Sequence, residues 1–195
     1  RNPKIWDQGN TGTCVSQAVC GSLLSGKTVS LLSKQKEKII ESDRTQLYHL
    51  AQTLDPWPGS EKNEPYYEGT STLAGFKAAQ KLGFIGPNYV NWKYRWCFGA
   101  NDVVDSLLTI GPVVIGINWH EEMFFPNEKG YIYPSGPMYG GHAVCLIGVN
   151  KILGKVRLIN SWGTNWGQNG RAWLRIKDLD KLLKEDGEAV ILYPK

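Results

Sequence analysis

Asp7-Gln8-Gly9-Asn10-Thr11-Gly12-Thr13-Cys14 sets a glutamine six residues ahead of a cysteine, across a glycine-rich loop that runs into an apolar segment. Val15, Ala18, Val19 and Leu23 follow at near-helical spacing, which predicts a helix beginning at Cys14. A helix start carries unpaired N–H groups and the positive end of the helix dipole, and both favour a thiolate over a thiol. Glycines at 9 and 12 permit tight turns and close backbone approach. A glutamine beside such a cysteine can offer its amide N–H to a developing oxyanion. Cys14 is therefore the candidate nucleophile.

A nucleophilic cysteine needs a base, and the base needs an orienting group. The chain has three histidines, His49, His120 and His142. His142 lies in Gly140-Gly141-His142-Ala143-Val144-Cys145-Leu146, where glycines lead into an apolar run that reads as a buried strand. Asn160 comes eighteen residues later, in Leu158-Ile159-Asn160-Ser161-Trp162-Gly163. His49 sits on an expected helix with no motif around it and reads as a packed or exposed side chain. His120, in Trp119-His120-Glu121-Glu122, is either an acid–base pair or a metal fragment in outline. No second ligand motif accompanies it, so it is expected on a surface loop.

From Cys14 the spacing is 128 residues to His142 and 146 to Asn160, near the separations seen in papain and the cathepsins. With Gln8 upstream and the Asn-Ser-Trp-Gly run downstream, the sequence resembles the papain family of cysteine peptidases over essentially its whole length. The resemblance implies that Gln8 supplies the oxyanion-hole side chain and Cys14 the nucleophile. It implies His142 as general base and acid, Asn160 as the group orienting the imidazole, and Trp162 as a shield over the Asn–His hydrogen bond. It also suggests Gly69 and Thr70 as contacts to an extended substrate backbone. Gly116 and Ala143 would line a specificity pocket with room for a bulky apolar side chain. The family's Cys-Gly-Ser-Cys-Trp reads Thr11-Gly12-Thr13-Cys14-Val15 here, so the disulfide partner ahead of the nucleophile is missing. That pattern is closer to the bacterial and viral members than to secreted cathepsins.

Composition narrows the class. A chain of 195 residues, 42% hydrophobic and 21% charged, can bury a substantial core. A net charge of +4, scattered along the chain, gives no footprint for nucleic acid. The densest charged run, Lys34-Gln35-Lys36-Glu37-Lys38, is interrupted by acid and reads as a solvated helix or loop. No apolar run reaches the roughly 20 residues of a membrane helix. The chain opens on Arg1 without a signal-like segment and reads as a processed form, any pro-segment lying outside it. With Cys14 free, three cysteines remain, an odd number for a disulfide framework. Cys20 and Cys145 read as core residues and Cys97 has no evident place. The compartment is not legible, with a slight lean to a reducing one.

The pattern along the chain predicts an α+β fold. After the Cys14 helix, Ser42 or Asp43 caps a helix through Leu54, which Asp55-Pro56-Trp57-Pro58-Gly59 ends. Gly69-Thr70-Ser71 opens another, stopped by Gly83, and Asn101 or Asp102 caps a third as far as Leu108. Between them, aromatic residues including Tyr89, Trp92, Tyr94 and Trp96 read as a loop or irregular strand. Runs 113–117, 142–149, 155–159, 171–176 and 188–193 are strand-like. One papain-like domain is expected over 1–195, with a helical subdomain at about 10–111 and a β subdomain at about 112–195 plus 1–9. The active site would lie in the cleft between them.

The expected activity is peptide-bond hydrolysis, of endopeptidase type, by a Cys–His–Asn triad with a glutamine oxyanion hole. No cofactor or metal is implied, a polypeptide is the expected substrate, and a monomer the expected form. Two alternatives stand beside it. A catalytically silent peptide-binding module would have no physical need for Gln8, Cys14, His142 and Asn160 together. A thiol-dependent amidase or transpeptidase uses a Cys–His pair without the glutamine and the Asn-Ser-Trp-Gly run.

Overall fold

Apolar runs buried on alternate sides build the sheet of this protein, seen in a computed structural model that describes residues 4–25, 39–55, 68–84 and 92–194. Its strands are β1 (Trp92–Trp96), β2 (Val113–His120), β3 (Met138–Asn150), β4 (Lys155–Ile159), β5 (Arg171–Arg175) and β6 (Glu188–Pro194). They pair antiparallel in the order β1-β6-β2-β3-β4-β5. Along β2, Val113, Ile115, Ile117 and Trp119 enter one core while Val114 enters a second. β3 sends Val144 and Leu146 one way and Ala143 and Cys145 the other, as the two-residue period of a strand requires. Burial on both faces explains why these strands read as continuous apolar runs instead of strict alternation.

Helices cover both faces. α1 (Cys14–Leu23), α2 (Glu41–Leu54) and α3 (Thr72–Lys81) close the core that holds Val114, Ala143, Cys145 and Ile159. α4 (Gly99–Thr109) and α5 (Ile176–Lys184) close the other. Every residue of α1 from Val15 to Leu23 is buried, which makes it the central helix of its half. Close approach makes that possible: a Cβ on Gly75 of α3 would lie 2.6 Å from Val15 Cγ1.

Several expectations need correcting. The aromatic segment is a regular edge strand, β1, hydrogen-bonded to β6. β1 and α4 thus belong with the sheet, although the sequence division put both in the helical half. α4 starts at Gly99, earlier than either expected cap. The Asp102 carboxylate acts from inside the first turn, where it accepts the Phe98 N–H at 2.9 Å and pairs with Arg95. Asp43 does the same in α2, accepting the Ile40 N–H at 3.0 Å. Ser71 caps α3 as expected, accepting the Ala74 N–H at 3.2 Å. α5 was not foreseen; Ile176, Leu179 and Leu182 carry its apolar stripe. His120 ends β2, with Nε2 3.0 Å from the Glu185 carboxylate and Nδ1 3.1 Å from the Gly136 carbonyl. It is therefore tied to the α5 end and not to its neighbouring glutamates.

All four cysteines are free thiols; Cys20, Cys97 and Cys145 are buried, and Cys97 Sγ lies 3.4 Å from Ser106 Oγ. The Lys34–Lys38 run, the Pro56–Gly59 helix stop and Tyr89 lie outside the described residues. No described helix is long and apolar enough to cross a membrane.

Candidate active site

Four elements present the site. Cys14 is the first residue of α1, Gln8 lies on the loop before it, His142 sits in β3, and Asn160 follows the last residue of β4. The loop is anchored from across the fold: Gln8 N–H donates to the Ser161 carbonyl at 2.8 Å, and Asp7 bridges to Trp162. Gly12 lies against the segment before α3, since a Cβ there would sit 3.1 Å from Gly69 N.

The imidazole and carboxamide meet. His142 Nε2 is 2.8 Å from Asn160 Oδ1, and the Ser161 N–H donates to that same oxygen at 2.8 Å. A backbone N–H can only donate, so Oδ1 is an acceptor and the ring must donate through Nε2. A neutral imidazole then keeps its lone pair on Nδ1. Trp162 stacks on the ring at 4.7 Å and 25°, and Trp119 meets it edge-on at 4.8 Å and 83°. Phe124 stacks in turn on Trp162 at 5.2 Å, and Trp166 stands edge-on to it at 5.6 Å. This apolar wall keeps the buried His–Asn bond in a low-dielectric setting, where it is strengthened.

A cleft of about 580 Å³ carries Gln8, Gly12, Cys14, Gly69, Thr70, Gly116, His142 and Ala143 on its walls. Of the residues singled out from sequence, Asn160 and Trp162 do not line it; Trp162 stands behind the imidazole. Gln8 Oε1 accepts from Ser161 Oγ at 2.5 Å and its Nε2 donates to the Thr11 carbonyl at 2.7 Å. Among the described residues, one amide hydrogen therefore stays uncommitted. Thr70 Oγ1 donates to Asp55 at 2.8 Å, which fixes the entry to α3 beside the cleft.

Burial raises the Cys14 thiol above its ordinary value, against the N–H groups of Ala143, Val15 and Cys14 itself, which lower it. Burial also lowers the His142 imidazole to about 4, against the Asn160 hydrogen bond, which raises it. Each group alone is thus held neutral. The thiolate expected at the helix start is therefore not the form that burial favours for Cys14 by itself. A proton moving from sulfur to ring would create both charges together, each compensating the other.

Two features escaped sequence reading. Trp119 carried no motif, and its place against His142 follows from the pairing of Ile117 with His142 across β2 and β3. Glu188, with Glu68 and Asp186, lines the same cleft. Its carboxylate accepts the Thr72 N–H at 3.0 Å, and its Cγ and Oε1 lie 3.1 Å from where a Gly116 Cβ would be. The pocket expected to be apolar therefore has an acidic wall. Among the described residues, no group of three or more His, Cys, Asp or Glu side chains is placed to hold a metal ion.

A two-sided α+β protein with a cysteine, a histidine–asparagine pair and a cleft between them is the class that fold and site define. The family profile described as papain family cysteine protease matches residues 58–185, and the chain belongs to that family. The matched region holds His142 and Asn160, while Gln8 and Cys14 precede it. The chain is 28% identical over 183 residues to gamete and mating-type specific protein A of Dictyostelium discoideum, covering 85% of this chain and 39% of that protein. It is 28% identical over 200 residues to a cysteine protease of Blomia tropicalis, covering 89% and 58%. This chain thus spans less than two thirds of either relative. Xylellain, a cysteine protease from Xylella fastidiosa, shares the fold with a TM-score of 0.67 at 17% identity, covering 98% of this chain and 83% of that one.

Proposed function

We propose that this protein is a cysteine peptidase, working through Cys14, His142 and Asn160 with Gln8 as the oxyanion-hole side chain, within one papain-like domain over 1–195. The observation that carries the proposal is the buried His142–Asn160 hydrogen bond of 2.8 Å, in a ring that shares its cleft with Cys14 and Gln8. His142 Nδ1 takes the thiol proton as sulfur attacks the scissile carbonyl carbon. The oxyanion receives N–H groups from the Cys14 backbone, unpaired at a helix start, and from Gln8 Nε2. The imidazolium then protonates the leaving amine as the C–N bond breaks. Water, deprotonated by the same ring, hydrolyses the thioester and restores the thiol. In this reading Gly69 and Thr70 would pair with the backbone of an extended peptide, and Gly116 and Ala143 would receive one of its side chains; their place on the cleft wall supports both roles.

The test is a fluorogenic peptide library with an epoxysuccinyl label. The wild type should cleave, and should be labelled at Cys14 alone, the other three thiols being buried. Cys14→Ala should lose both turnover and label at an unchanged melting temperature. A Cys14→Ala variant that still cleaves peptides refutes the assignment, and a wild type that neither cleaves nor labels points to a binding module.

A further inference from the structure

Behind the histidine–asparagine pair lies a cavity of about 10 Å³, lined by Lys4, Trp6, Gln17, Ala18, Ala143, Val144, Ile159, Asn160 and Ser161. That is roughly the space one water molecule occupies. Three of its residues carry a buried polar atom without a hydrogen-bond partner among the described residues: Trp6 Nε1, Gln17 Oε1 and Asn160 Nδ2. The residues themselves are 7%, 7% and 5% exposed. Leaving one such atom unpaired is costly, and all three belong to residues that line one small space, where a single remedy can serve them together. Their polarities match it too: two are N–H donors and one is a carbonyl oxygen, while a water accepts twice and donates to a third partner.

We infer that this cavity holds one ordered water, which accepts from Trp6 Nε1–H and Asn160 Nδ2–H and donates to Gln17 Oε1, so that Gln17 and Trp6 are positioning residues for the carboxamide of Asn160. A cation is excluded by the two N–H donors. The water completes what the Ser161 N–H begins. With Oδ1 held by Ser161 and Nδ2 by the water, the amide cannot flip, and His142 must keep its proton on Nε2. The water also joins two halves of the molecule. Gln17 lies on α1, three residues after Cys14, and its Nε2 donates to Thr13 Oγ1 at 3.4 Å. Asn160 lies beyond β4. The bridge thereby sets the helix that carries the sulfur against the group that orients the ring. The catalytic consequence rests on the peptidase reading; the water site does not.

The experiment has two arms, so that the two can fail separately. A crystal structure of the wild-type protein at better than about 1.5 Å should show a water within hydrogen-bond distance of all three atoms; a dry cavity overturns the inference. Nitrogen-15 NMR of the imidazole should find the Nε2–H tautomer alone in the wild type, and a tautomer mixture in Gln17→Met, which keeps the bulk and removes the acceptor. In Gln17→Met, kcat on a peptide should fall roughly three- to tenfold with KM unchanged, and Gln17→Glu, which retains an acceptor, should restore most of it. A Gln17→Met protein with unaltered tautomer and kcat overturns the positioning role. If the wild type cleaves no peptide, the density and the tautomer still decide the inference. If Gln17→Met fails to fold, the wild-type density decides the water, and Trp6→Phe, which removes one donor to it, decides the positioning role by whether a tautomer mixture appears.

Discussion

His142 is gripped from three directions, by Asn160 through Nε2, by Trp162 on one face and by the edge of Trp119. The hydrogen bond orients the ring and supports its positive charge once the thiol proton arrives. Bonds to charged groups contribute about 1.5–3 kcal/mol, so Asn160→Ala should lower kcat roughly 10- to 150-fold with a smaller effect on KM. Steady-state kinetics check this against Cys14→Ala, which should lose turnover altogether. Glu188 makes a second prediction at this scale. Its carboxylate stands over Gly116 in the cleft, so a lysine or arginine side chain entering there should be preferred to leucine. Glu188→Gln keeps an acceptor for the Thr72 N–H and removes the charge. The basic-over-apolar ratio of kcat/KM should fall by about fivefold or more, the equivalent of about 1 kcal/mol, and an unchanged ratio would place the entering side chain elsewhere. Gln8, Cys14, His142 and Asn160 could be singled out because a helix start, a strand entry and a turn after a strand are local patterns, and because their order and spacing resemble those of the papain family. Trp119 and Glu188 were not, because their positions follow from the registers Ile117↔His142 and Gly116↔Glu188, which a linear sequence does not display.

Among the elements, α1 carries the most consequence, since it presents the sulfur and is buried along its length. Its contact with α3 has no slack: a Cβ on Gly75 would meet Val15 Cγ1 at 2.6 Å and Val19 Cγ2 at 3.1 Å. Both neighbours are β-branched and hold nearly fixed rotamers in a helix, so they cannot swing aside. Alanine at 75 would gain helix propensity of about 1 kcal/mol, yet overpacking of about 1–3 kcal/mol works against it. Gly75→Ala should therefore be destabilised in urea unfolding, and adding Val15→Ala should recover part of the loss as a favourable coupling energy. Simple additivity of the two changes would show that the helices separate freely. The mispredicted elements each have a physical cause of their own. Asp43 and Asp102 look like caps because they are acidic residues near helix starts, but each reaches back from within the first turn to a preceding N–H. β1 does alternate, aromatic with basic, through Trp92-Lys93-Tyr94-Arg95-Trp96, and that short period is easily lost among the further aromatic residues at 89 and 98. The stripe of α5 was readable, and was masked by the strand running directly into it.

For the whole molecule, pH reports how the site is held. His142 is buried as a neutral ring, with a pKa lowered from 6.5 to about 4 by desolvation. An unfolded chain offers that imidazole to water, where it binds a proton near 6.5. Between about 6.5 and 4 the unfolded state therefore holds a proton that the folded state refuses, and stability must rise with pH across that window. Read downward, the fold is at full strength above about 6.5 and loses about 3 kcal/mol as pH falls to about 4. A second loss begins lower. Asp102, held below the ordinary carboxylate range chiefly by Arg95, and Glu185, held there chiefly by His120, both shed stability as they take up protons. Replacing the ring by a neutral side chain separates the two windows. Unfolding free energies measured from pH 7.5 to 3.5 should slope between 6.5 and 4 in the wild type, stay nearly flat there in His142→Gln, and fall in both proteins below about 4. Equal slopes in the upper window would mean that His142 is solvated and free to charge. The imidazole would then not be the buried partner of Asn160 on which the proposed chemistry depends.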